Sequence, residues 1–181
     1  MSKVKQNFTT NAHKVAGTYE YRPDLCNIYF KDDHLYVTNA HVALKQHLKH
    51  HNIIDWQHLN GKAIHYQIFA FIKNRFITVT AKEDHFECFD KYNNKATFPY
   101  TSSTMDIAEM IENAIPKDPV KEISQIGLNH HVLNNLCKGL LIRDGALKMK
   151  FFGSNKGILI TCPAYEDQTG LLMPIMITDN E

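Results

Sequence analysis

The chain has 181 residues, of which 44% are hydrophobic and 22% charged, and its formal net charge is +1. Such a chain holds one sizeable core or two small lobes but not three full domains, and its charge gives no bulk signal for nucleic acid or membrane. No apolar run resembles a signal peptide or a transmembrane helix, and the four cysteines (Cys26, Cys88, Cys137, Cys162) form no C-x-x-C pair, so a cytoplasmic protein with reduced, buried thiols is expected.

Residues 1–23 are polar and without period, and they read as an extended N-terminal arm with one strand at about 15–21. A two-residue period then sets in. Cys26, Ile28 and Phe30 alternate with Asn27 and Tyr29, and Leu35, Val37 and Asn39 alternate with Tyr36 and Thr38. The intervening Lys31-Asp32-Asp33-His34 makes this a hairpin. Residues 42–48 fit either a third strand or the start of a helix.

A short strand at 63–64 leads into a helix over 65–74, with Ile68, Phe69 and Ile72 as its apolar stripe. Three strands follow at 76–81, 85–89 and 96–100, the last two separated by the turn residues Tyr92-Asn93-Asn94-Lys95. A helix at 105–115 is capped by Thr104 or Asp106, with Glu109 placed for a capping box. Ile107, Met110, Ile111 and Ala114 line one side, and Pro116 and Pro119 end it. The last third repeats the earlier order. A strand at 122–128 precedes a helix capped by Asn129, whose buried face is Val132, Leu133, Leu136 and Leu140. Strands follow at 147–152, 157–162 and 171–177.

Strand, helix and three strands thus occur twice, at about 62–100 and 122–178, behind a hairpin at 25–48. This is an α+β fold with helices packed on one face of antiparallel sheet. The expected organisation is an arm at 1–23, a first part at 24–103, an acidic helix and Pro-containing linker at 104–119, and a closing half-domain at 120–181.

Chemistry-bearing motifs are absent. There is no Walker A loop, G-x-G-x-x-G, G-x-S-x-G or H-E-x-x-H. His47, His50, His51 and His58 cluster, but Asp55 is the one nearby carboxylate and no cysteine joins them. A solvated polar segment is expected there rather than a metal site. His130 and His131 are adjacent, which suits a shared metal poorly. Gly153-Ser154-Asn155-Lys156-Gly157 lies between two strands, with no helix following to bind phosphate, and reads as a hairpin turn. The carboxylates form no acid–base pair. The sequence predicts no catalytic residue, no metal and no cofactor.

Residues 24–41, Asp24-Leu25-Cys26-Asn27-Ile28-Tyr29-Phe30 through Thr38-Asn39-Ala40-His41, resemble the opening hairpin of bacterial DNA polymerase III beta-subunit sliding clamps. The block at 63–100, ending in Phe98-Pro99, is similar to the next clamp segment. Leu128-Asn129 with Val132, Leu133 and Leu136, the two strands after it, and Leu171-Leu172-Met173-Pro174-Ile175-Met176 look like the closing half-domain, which in this family ends on a Met-Pro strand. The resemblance covers 24–103 and 120–178. It departs from the family in length, with room for about one and a half of three domains. No helix is evident before the first hairpin, and the acidic helix stands between the blocks.

The resemblance implies a non-catalytic, processivity-factor-like scaffold in DNA replication or repair. The alternative is a clamp-fold interaction or regulatory protein that neither closes a ring nor binds DNA. By position, the helices would turn Lys73, Asn74, Arg75, His131, Asn134 and Lys138 towards duplex DNA, weakly and non-specifically. Leu171, Leu172, Met173, Pro174 and Ile175 would border a pocket for client peptides of replication proteins. A homo-oligomer is implied, and no membrane partner.

Overall fold

The computed structural model describes residues 5–101, 105–119, 125–142 and 145–175. Thr104 as a cap, the start of the strand expected at 122–128, and Met176 and Ile177 lie outside them. The two-residue period at 26–39 folds as β1 (Asn27–Lys31) and β2 (His34–Thr38), with Tyr29 opposite Tyr36. Asp32 and Asp33 join them with φ of 48° and 64°. That is the geometry of a tight two-residue hairpin whose twist matches the strands. The ambiguous residues after them form a strand, β3 (Val42–His47), paired to β2.

The first strand–helix–three-strand unit is β4 (Lys62–His65), α1 (Tyr66–Arg75), β5 (Thr78–Ala81), β6 (His85–Phe89) and β7 (Lys95–Pro99). α2 (Ile107–Ala114) follows, and its N-cap Asp106 accepts the Glu109 N–H at 3.0 Å. In the second unit Asn129 caps α3 (His130–Gly139) by accepting from the His131 and Val132 N–H groups, ahead of β8 (Lys148–Lys150), β9 (Ile158–Cys162) and β10 (Tyr165–Leu172). The Gly153–Gly157 segment joins two antiparallel strands, β8 and β9. Residue 127 enters as a single antiparallel bridge to Ile175 rather than as a strand. β10 begins six residues earlier than expected, at Tyr165.

Seven strands make one antiparallel sheet in the order β4-β1-β2-β3-β10-β9-β8, and β5-β6-β7 make a second. Alternation along the large sheet separates two apolar faces. Ile28, Phe30, Leu35, Val37, Leu44 and Leu172 enter the main core with Phe69 and Ile72 of α1 and Leu136 of α3. Tyr29, Tyr36, Ala43 and Leu171 face the other way and meet Ile107, Ala108 and Ile111 of α2. The helices of the two units therefore share one face, as expected, while α2 covers the opposite one. α3 sits close on the sheet because β10 carries Gly170, where an added Cβ would come within 2.8 Å of Leu136 Cδ2.

The N-terminal arm departs most from expectation. No strand forms at 15–21; Ala12–Lys14 is a 3-10 turn, packed between α1 and α3. Phe8, Ala12 and Val15 are fully buried, and the Phe8 ring stacks on Phe69 with centroids 3.9 Å apart. The buried Asn7 side chain donates to the carbonyls of Ile72 (3.0 Å) and Phe76 (2.7 Å), which closes the C-terminal end of α1. Few apolar residues spaced at no regular period carry this packing, which is why periodicity did not reveal it.

Candidate nucleic-acid interface

α1, the 3-10 turn and α3 lie together on one face of the large sheet, with the turn contacting both helices. Of the six residues expected to face DNA, Asn74, Arg75, His131, Asn134 and Lys138 are solvent-exposed there. Lys73 is half-buried. Its ammonium lies 3.4 Å from the carbonyl oxygens of Phe8 and Thr9, and burial, reinforced by the Lys5 charge, lowers its pKa. Lys73 therefore holds the arm against α1 rather than standing free.

Sequence reasoning missed His13 and Lys14. Lys14 is exposed at the turn, between α1 and α3. Burial, then the neighbouring Lys14 and Lys73 charges, push His13 down to about 4, so it is neutral at pH 7. A usable signal existed in the sequence. Segments 5–19, 65–82 and 125–142, which build this face, contain no Asp or Glu. A carboxylate-free helical layer holding Lys14, Arg75 and Lys138 is electropositive despite the modest number of cations.

The carboxylates of α2 are on the other side, and those of Asp106 and Glu112 are engaged. Glu112 accepts from Tyr36 Oη at 2.7 Å and pairs with Lys45 at 2.6 Å, and Asp106 pairs with Lys31 at 2.6 Å. Burial works against ionisation of Glu112, but the Lys45 and Tyr36 hydrogen bonds outweigh it and hold its pKa below the usual value. Burial, with Glu112 adding to it, raises the Tyr36 phenol well above its ordinary range. These bonds orient α2 on the sheet and keep its negative charge away from the α1–α3 face.

The five residues expected at a peptide pocket divide. Leu172 points into the main core and is fully buried. Leu171 and Met173, with Leu25, Val42, Ile107 and Met110, line an apolar cleft of about 240 Å³ between α2 and the sheet. Met173, Pro174 and Ile175 line a smaller neighbouring hollow of about 150 Å³ with His41 and Val132. Met110, Met173 and Ile175 are all substantially exposed.

The histidine cluster is only partly the solvated segment expected, since His58 is exposed while His51 is not. His51 is buried and bridges the arm and the sheet. Its Nδ1 accepts from the Thr9 N–H at 3.1 Å, so its Nε2 carries the proton and donates to Gln46 Oε1 at 3.0 Å. His50 pairs with Asp167 at 2.5 Å. Among the described residues no group of three metal-ligating side chains converges, and no helix is long and apolar enough to cross a membrane.

A helix-on-antiparallel-sheet architecture with two such repeated units defines the fold class. No protein-family model and no curated protein matches the sequence. Among solved structures the chain is similar to bacterial DNA polymerase III beta sliding clamps, and the fold is theirs. The Borrelia burgdorferi subunit, solved with a natural product, aligns at a TM-score of 0.65 and 14% identity, covering 98% of this chain and 67% of that one. The Bacillus subtilis sliding clamp aligns at 0.64 and 11%, again over 98% and 67%. The H. pylori clamp, solved with diflunisal, aligns at 0.65 and 10%, over 96% and 65%.

Proposed function

We propose that this chain is a clamp-like, non-catalytic binding protein that acts as a scaffold in DNA replication or repair. One observation carries the reading: α1, the 3-10 turn and α3 form a carboxylate-free layer on one face, while the carboxylates of α2 are on the opposite face. Such a layer attracts phosphates through non-specific electrostatics and reads no base sequence. The expected DNA contacts are Asn74, Arg75, His131, Asn134 and Lys138, with Lys14 added at the centre. The α2-side cleft, with Met110 and Met173 at its mouth, is the place for an apolar client peptide, since methionine adapts its shape to varied partners.

The test is fluorescence anisotropy with a labelled duplex at rising salt, combined with solution mass. The expected result is weak binding that falls steeply between about 50 and 200 mM salt, in a chain that self-associates. Absence of binding even at low salt, in a strict monomer, overturns the DNA scaffold. That result favours a clamp-fold regulatory protein which uses the Met110–Met173 cleft alone.

A further inference from the structure

Among the described residues the two sheets end on four edge strands, and three of these are covered or guarded. Two passing segments take the outer side of β5. Gln6 N donates to Ile77 O at 2.7 Å and Gln6 O accepts from Val79 N at 2.8 Å. Further along, Ile54 N donates to Val79 O at 3.0 Å and Ile54 O accepts from Ala81 N at 2.9 Å. On β4 the Ala63 carbonyl accepts the Thr101 N–H at 2.8 Å. β8 has only three residues, and Lys148 and Lys150 stand exposed on it, the charged form in which short edges resist pairing.

β7 is the exception. The bonds from Tyr100 N to Asp84 O (3.2 Å) and from Asp90 N to Asn94 O (3.1 Å) fix the phase of its ladder with β6. Its even-numbered residues bond β6, so the N–H and C=O groups of Lys95 and Thr97 and the carbonyl of Pro99 point outward. Among the described residues nothing bonds these outer groups. An apolar patch adjoins the open edge. The Phe98 ring meets Phe76 at 5.5 Å and Phe71 at 5.9 Å between centroids, yet Phe71 is 48% exposed. Ala96 and Phe98 share the core-facing side of β7. On its other side Lys95 pairs with Glu87, so the edge presents no unpaired charge.

We propose that β7 pairs antiparallel with β7 of a second copy, about a two-fold axis at Thr97, joining two three-stranded sheets into one. In this register Thr97 exchanges two N–H···O bonds with the partner's Thr97. The Lys95 N–H donates to the partner's Pro99 carbonyl, and no like charges stand opposite one another. On the core side Phe98 comes beside the partner's Ala96, large against small, at the closely spaced non-hydrogen-bonded position. A shift of the register by two residues would set Phe98 beside the partner's Asn94 and lose that match. The pairing is also bounded at both ends, by Thr101, committed to β4, and by the turn at Asp90–Asn94. Pairing β7 with β8 of another copy, with both cores on one side, would gather Lys95, Lys148 and Lys150 along the junction. The two-fold contact closes on itself and yields a dimer rather than an open series of copies. It specifies the self-association expected of the scaffold, but rests on the strand edges and not on the α1–α3 face.

The experiment is sedimentation velocity of the intact chain over a wide range of concentration, since an edge contact of this size belongs with weak, transient interfaces. A monomer–dimer equilibrium without larger species is expected. Thr97→Pro removes an outward N–H at a position where an edge strand tolerates proline. It should weaken the dimer about tenfold with an unchanged far-UV circular dichroism spectrum, and Phe71→Ala should weaken it as well. In a Cys137→Ser background, Thr97→Cys should form a disulfide-linked dimer on mild oxidation and Lys150→Cys should not. Facing residues of a hydrogen-bonded pair lie about 5.5 Å apart, within disulfide reach. Sedimentation as a monomer at every concentration overturns the proposal. So does a dimer that Thr97→Pro leaves intact, or one that crosslinks through Lys150→Cys instead. Duplex binding by a strict monomer overturns this proposal alone, whereas a Thr97-linked dimer that ignores duplex DNA upholds it and counts against the scaffold reading.

Discussion

Gln46 of β3 and Gln168 of β10 are both fully buried, and the Gln46 Nε2 donates to Gln168 Oε1 at 2.8 Å across the middle of the large sheet. Gln46 Oε1 accepts from Thr10 Oγ1 at 3.0 Å and from His51, and Gln168 Oε1 also accepts the Leu141 N–H at 2.9 Å. Four separate parts of the chain meet through these amides: the arm, β3 with its following loop, the segment after α3, and β10. Replacing Gln168 with Leu leaves the Gln46 amide and the Leu141 backbone unpaired inside the core. The expected loss is about 2–4 kcal/mol, read from urea unfolding. A loss under about 0.5 kcal/mol would show that water satisfies these groups and that the network does not hold the segments together.

Stability should also fall with mild acid. Burial, then the His50 and Lys73 charges, push His51 from the ordinary histidine value of about 6.5 down to about 3, and His13 stands at about 4. Between these values and about 6.5 the unfolded chain binds protons that the folded chain refuses. The contribution of each histidine is thus complete above about pH 6.5 and declines as pH falls towards its folded value. The slope approaches about 1.4 kcal/mol per pH unit for each such histidine. Urea midpoints from pH 7 to pH 5 should fall, and His51→Gln should flatten the dependence. A wild-type midpoint that stays level across this range would contradict the buried neutral His51. Asp167 acts lower: burial opposes its ionisation, but Lys49 and His50 hold its pKa below 3.8, so its share is lost only under stronger acid.

Charge reversal separates the two faces of the sheet. Arg75→Glu with Lys138→Glu should abolish low-salt retention of duplex DNA. Glu109→Lys, which adds a cation on the α2 face, should not raise it. Each lost phosphate contact lowers the dependence of log K on log salt by about 0.9. Anisotropy titrations at several salt concentrations give both quantities, and equal effects from the two faces would remove the assignment of the α1–α3 layer.

α2 provides a local test of capping against ion pairing. Asp106→Ala removes the side chain that accepts the Glu109 N–H, and should cost about 1 kcal/mol. Lys31→Ala removes only the partner of an exposed, solvent-screened pair, and should leave the unfolding midpoint almost unchanged. Thermal unfolding of the two variants measures the difference; equal losses would assign the stabilisation to the ion pair.

What could be read from the sequence was whatever repeats. Alternation at Cys26–Ile28–Phe30 and Leu35–Val37, and the helical spacing of Ile68, Phe69 and Ile72, led directly to strands β1 and β2 and helix α1. The order of both units followed from them. Residues whose neighbours are distant in sequence were not legible. Phe8 and Val15 sit among polar residues, and Phe69, on which Phe8 stacks, is some sixty positions from it. Gln46 and Gln168 are polar where a central strand is normally apolar, so Tyr165–Gln168 did not read as strand. His51 looked solvated because nothing local signals that Thr9 and Gln46 enclose it. The site residues show the same division. The candidate contacts Arg75 and Lys138 stand on helices already recognised, and Lys73, on the same helix as Arg75, could not be told from them because the arm that covers it is distant in sequence; Lys14 was hidden because the turn that carries it has no periodic signature.

β10 lies between β3 and β9, so the last strand fills the middle of the sheet rather than its edge. Gln46 and Gln168, paired there, are 122 residues apart in the chain. During synthesis at about 5–20 residues per second, β3 waits on the order of ten seconds for the partner of its open edge. Until then the hairpin β2–β3 presents unpaired N–H and C=O groups, a template for pairing with other chains. This sheet closes late, by long-range contact, once Tyr165–Leu172 reaches β3.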